Sequence, residues 1–137
     1  MQKVQYAQCM GIDSLGVRCD VYGVVQEAEQ LLQNLDAGLQ QIDASLSTKD
    51  NPHFSTALVK MLTVSRSSEI SDDTRVSFRQ QFMTSTIEEL LGTVVFIEET
   101  REEVPGIQLP TQVSQACSRV RDTIRDLAEK GIIEALE

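Results

Sequence analysis

Four side chains could carry nucleophilic or metal chemistry: Cys9, Cys19, Cys117 and the only histidine, His53. By count they make a Cys3His zinc set. Structural zinc sites draw their ligands from close pairs such as Cys-x2-Cys. Here Cys9 and Cys19 stand ten residues apart, and the other two groups are remote. The simpler reading makes Cys117 a core residue and His53 a polar residue in a first helical turn. Nucleophilic catalysis needs a base beside the nucleophile, and no elbow of the G-x-S-x-G type flanks His53. An enzyme would need a Cys/His site assembled in space.

A second group is acidic: Glu88, Glu89, Glu98, Glu99, Glu102 and Glu103. Carboxylate-bridged metal sites in helical proteins pair Glu with a His three residues on. His53 follows no Glu at that spacing. The glycines are isolated and build neither of the common phosphate-cradling loops. We therefore expect no cofactor and no metal.

The charge pattern is the feature that stands out. Glu98, Glu99, Glu102 and Glu103 form two acidic rows on one helix face, offset locally only by Arg101. Like charges at i and i+4 repel, and acid near a helix C-terminus opposes the helix dipole. Such a segment is solvated, matched from within, or matched by a partner. Arg119, Arg121 and Arg125, interleaved with Asp122 and Asp126, are the candidates for matching from within.

The elements that must hold these residues read as helices. A hydrophobic fraction of 41% over 137 residues suits one globular domain. With four Phe, two Tyr and no Trp, the core must be aliphatic. Apolar residues at Val24, Ala28, Leu31, Leu35, Leu39, Ile42 and Leu46 step by three and four, predicting a helix from Asp20 to about Ser47. Gly38 within it marks a candidate close approach between helices. Asn51-Pro52 reads as N-cap and first turn of a second helix ending at Arg66. Phe54, Leu58, Met61 and Leu62 should face inward.

A third helix should begin at Ser71, with Asp72 and Asp73 in its first turn, and run to Glu103. Phe78, Phe82, Ile87, Leu90, Leu91, Val94 and Ile97 form its stripe. Residues 93–97, TVVFI, favour a strand locally, but the flanking period favours helix. Pro110 opens the last helix, striped by Val113, Cys117, Val120, Ile124 and Leu127, and Gly131 stops it. Residues 1–19 are the least legible, with a short turn near Val4–Met10. The tail IIEALE, residues 132–137, is either frayed or packed.

The expected fold is all-α: a four-helix, mostly antiparallel bundle with two long helices, in one domain spanning residues 1–137. Long helices on a small domain would overhang their neighbours, which is a reason to expect a dimer or a docked partner. A net charge of -9 disfavours direct nucleic-acid binding. No segment approaches the ~20 apolar residues of a membrane span. An odd thiol count and no signal-like apolar run near the N-terminus give the expectation of a cytoplasmic protein.

The leading functional expectation is a protein–protein interaction module: an adaptor, export chaperone, inhibitor or assembly subunit. Its partner would be another protein or a second copy. The expected contact residues are Glu98, Glu99, Glu102 and Glu103, with Ile132, Ile133 and Leu136 of the tail. The alternatives are an acidic nucleic-acid mimic that blocks a nucleic-acid-handling enzyme, and an enzyme with a Cys/His site.

Overall fold

The computed structural model describes residues 21–49, 51–67, 70–81 and 84–133. Among them are five helices and no strand: α1 (Val21–Ile42), α2 (Pro52–Arg66), α3 (Asp72–Gln81), α4 (Thr84–Glu103) and α5 (Thr111–Glu129). Residues 93–97 lie within α4, so the helical period outweighs local β-propensity there. The expectations for residues 1–20 fall outside the described residues.

Three helix boundaries have a local cause. Asn51 caps α2, its side-chain oxygen accepting from the His53 N–H at 3.2 Å. Ser71 caps α3, its hydroxyl accepting from the Thr74 N–H at 3.1 Å. At the end of α5, Gly131 adopts a φ of +73°, where a side chain would be strained. The Gly131 N–H reaches the Ala128 carbonyl and the Ile132 N–H the Leu127 carbonyl, both at 3.0 Å. This is the Schellman pattern, in which residues such as Ile132 and Leu127 meet through apolar side chains.

Two helices depart from the sequence reading. α1 ends at Ile42, short of Ser47. The buried Asp36 carboxylate accepts from the Ser47 hydroxyl at 2.8 Å and the Thr48 N–H at 2.9 Å, folding the chain back along α1. The expected helix over 71–103 is two helices, α3 and α4. As observed, α1, α4 and α5 have 22, 20 and 19 residues, about 33, 30 and 28 Å at the helical rise.

α1, α2, α4 and α5 each contact the other three. Within α2 every residue from Ala57 to Val64 is buried, so this helix is enclosed on all sides. α1 meets α5 through Glu27 with Arg119 and through Gly38 with Val113, so these two run in opposite directions. α4 and α5 do the same, through Arg101 with Ser114 and Glu98 with Arg121.

Polar ties fasten the end opposite Gly38. Glu27 of α1 receives both Arg66 of α2 and Arg119 of α5, the latter at 2.8 Å. The Ser65 hydroxyl donates to Asp126 at 2.7 Å, and Lys130 pairs with Asp126 at 3.1 Å while also donating to the Ser65 carbonyl. Arg79 of α3 donates to the carbonyls of Gly131 and Ile132 at 2.7 and 2.9 Å.

The Ser65 hydrogen bond, followed by Lys130, holds the Asp126 carboxyl below its ordinary value. A depressed carboxylate stabilises the fold above its unfolded pKa of about 3.9 and loses that contribution as pH falls through the folded value. Asp126→Asn should therefore be less stable than wild type at neutral pH, with the gap narrowing below about pH 4 in urea titrations. A gap independent of pH would contradict this account.

Gly38 gives a second test. A Cβ there would meet Val113 Cγ1 at 2.8 Å and Ile97 Cδ1 at 3.4 Å, whereas at Gly92 it would meet nothing within 4 Å. Gly92→Ala should raise stability by up to about 1 kcal/mol through helix propensity. Gly38→Ala should lower it by about 1–2 kcal/mol, because overpacking outweighs propensity, and Val113→Ala in the same chain should recover part of the loss. Equal shifts at the two glycines would exclude the close approach.

Candidate functional site

α4 has two different faces. Ile87, Leu90, Val94 and Ile97, spaced by three and four, are buried against the core. Glu88, Glu89, Gly92, Phe96, Glu99 and Glu103 are exposed on the other side. Phe96 is 45% exposed, and so is Val104 just beyond the helix.

Phe96 borders a groove of about 540 Å³ between the end of α1, the start of α2 and the outer face of α4. Leu39, Leu46, Phe54 and Gly92 supply the rest of its apolar lining, and Glu89 stands at its edge. The absence of a side chain at Gly92 leaves the α4 wall low, and no described residue comes within 4 Å of where a Cβ would stand.

The acidic rows divide. Glu98 is matched from within: Arg121 of α5 reaches its carboxylate at 2.6 Å. Arg101 turns to the Ser114 hydroxyl at 2.7 Å. Glu88, Glu89, Glu99, Glu102 and Glu103 form no ion pair with any described residue. Of the expected basic partners on α5, Arg119 goes to Glu27 and Arg125 to Asp122 within its own helix.

The two described tail residues, Ile132 and Ile133, pack against the core. Ile132, expected as a contact residue, is fully buried in this chain. The Schellman turn at Gly131 directs it onto the core beside Leu127. Ile133 is half-buried against the same core. Leu136 lies outside the described residues.

Phe96 and Gly92 were missed in the sequence reading, although a signal was present. The inward stripe through Val94 and Ile97 leaves position 96 on the opposite face, so an aromatic residue there has no place in the core.

The nucleophile candidates are separated by environment. His53 is exposed in the first turn of α2. Cys117 is buried in α5, beside a hollow of about 150 Å³ that Glu98, Arg101 and Ser114 also line. Burial, with the Glu98 charge adding to it, pushes its thiol up to about 11. Cys9 and Cys19 lie outside the described residues. Among the described residues, no three His, Cys, Asp or Glu side chains converge as metal ligands would. A third hollow, of about 460 Å³, includes Asp36, but that carboxylate already accepts from Gln40, Ser47 and Thr48.

No described helix is long and apolar enough to cross a membrane. No protein-family model, curated protein or solved structure matches the chain. The arrangement on α4 sets a largely apolar recess beside negative charge that no described residue matches.

The Cys117 environment is testable with iodoacetamide on a chain whose Cys9 and Cys19 are replaced by Ser. A pKa of about 11 leaves roughly one thiol in a thousand ionised at pH 8. Cys117 should stay unlabelled at pH 8 in the folded chain and react once urea unfolds it. The same shift makes its burial stabilising below the unfolded thiol pKa, and that contribution is lost as pH rises through about 11. Rapid labelling of the folded chain near neutral pH would contradict this account of Cys117.

Proposed function

We propose that this chain is a protein–protein interaction module, an adaptor, export chaperone, inhibitor or assembly subunit. In this reading its framework is a four-helix, mostly antiparallel bundle of α1, α2, α4 and α5, with α3 placed between α2 and α4. The partner is a protein, a second copy being one candidate, and the setting is the cytoplasm, in keeping with an odd number of thiols.

One observation carries the proposal: the outer face of α4 carries Phe96, at the rim of an open, largely apolar groove, together with Glu99 and Glu103, which have no counter-charge among the described residues. Monomeric proteins leave single apolar residues exposed at no great cost. An aromatic at the rim of an unfilled recess, set among unmatched charges, has the make-up of a contact surface with an apolar centre and a polar rim.

Light scattering and affinity capture at about 0.15 M salt, where screening acts over about 8 Å, test the reading. Wild-type chain should hold a partner or a second copy, and Glu99→Lys with Glu103→Lys should lose it. A chain that stays monomeric and captures nothing would defeat the proposal.

A further inference from the structure

The partner's chemistry follows from the same surface. Resting on the binding-module reading, we propose that the groove between α1, α2 and α4 takes the apolar face of a basic amphipathic helix from another protein.

Three features support this occupant. The outer face of α4 runs through Glu89, Gly92, Phe96, Glu99 and Glu103, in steps of three and four. That spacing lays a straight seam along a helix, the geometry in which a second helix packs. From Glu89 to Glu103 the seam is about 21 Å long, enough for about four turns of a partner helix. The groove beside it has an apolar floor of Leu39, Leu46 and Phe54 facing Phe96, with Ser47, Asn51, Glu89 and Thr93 as its polar lining, and the low wall at Gly92 lets a partner's backbone or large side chain come close.

The third feature is charge. The carboxylates along the seam are exposed and have no described counter-ion, so Lys or Arg flanking the partner's apolar face would meet them. A second copy of the chain fits less well. It would bring the same acidic face, and the chain carries -9 overall.

Because the chain has no Trp, a synthetic helical peptide with a single Trp is visible alone by fluorescence anisotropy. The probe carries Leu at i, i+3, i+4 and i+7 with Lys on its flanks, and a matched control carries Glu in place of Lys. The Lys peptide should bind at least about tenfold more tightly than the Glu peptide. Its binding should weaken at about 1 M salt, where the screening length is about 3 Å.

Phe96→Asp should weaken the Lys peptide about tenfold, as expected for an anchor at the centre of a contact. This variant separates groove from charge, because an added negative charge would tighten a purely electrostatic association. Glu99→Lys with Glu103→Lys should shift the preference toward the Glu peptide. Circular dichroism should show wild-type helicity in all variants, since every altered side chain is exposed.

Equal binding of the two peptides, or unchanged or tighter binding of the Lys peptide to Phe96→Asp, overturns the groove assignment. If those variants still retain the partner held by wild type, the assignment falls while the binding-module reading stands.

Discussion

The constraint on which the other elements depend is the enclosure of α2. Eight consecutive residues, Ala57 to Val64, are buried, so every side of this helix needs a neighbour. Two of the eight are polar. Thr63 satisfies its hydroxyl within the helix, donating to the Val59 carbonyl at 2.8 Å. Lys60 is buried too, and desolvation lowers its pKa. α1, α4 and α5 all contact α2. They also approach one another, and Gly38 lets α1 come close to Ile97 of α4 and Val113 of α5.

How much of this was legible follows from range. Asn51, Ser71 and Gly131 act within a few residues of themselves, through caps and a left-handed turn, and their roles could be read from the sequence. The apolar stripes likewise showed which faces turn inward. The end of α1 was hidden because Asp36 is joined to Thr48 twelve residues away, with nothing in the apolar period to announce it. Whether Ile132 packs or frays was open in the sequence, because its direction comes from the geometry at Gly131. The groove could not be read at all, since Leu39, Phe54 and Phe96 come together only when three helices pack.

The distribution of charge follows from the same packing. Arg66, Arg119, Arg121 and Lys130 are engaged at helix contacts by Glu27, Glu98 and Asp126. Arg79 is taken by backbone carbonyls. Positive charge is thus drawn into the joints between helices, while the acidic residues of α4 stay at the surface. A modest excess of acid in the sequence becomes a localised field in the folded chain, which is where electrostatic steering gains its effect.

The link from Arg79 to the Gly131 and Ile132 carbonyls bears on how the chain is made. α3 has only ten residues, too few for a stable helix alone in water. Its arginine closes contacts spanning 52 and 53 residues. During synthesis, residue 79 emerges long before its acceptors exist. The arginine ties of α3 therefore cannot close until the turn after α5 has left the ribosome, so part of what holds the short third helix, beside its buried Phe78, comes from nearly the last part of the described chain to be translated.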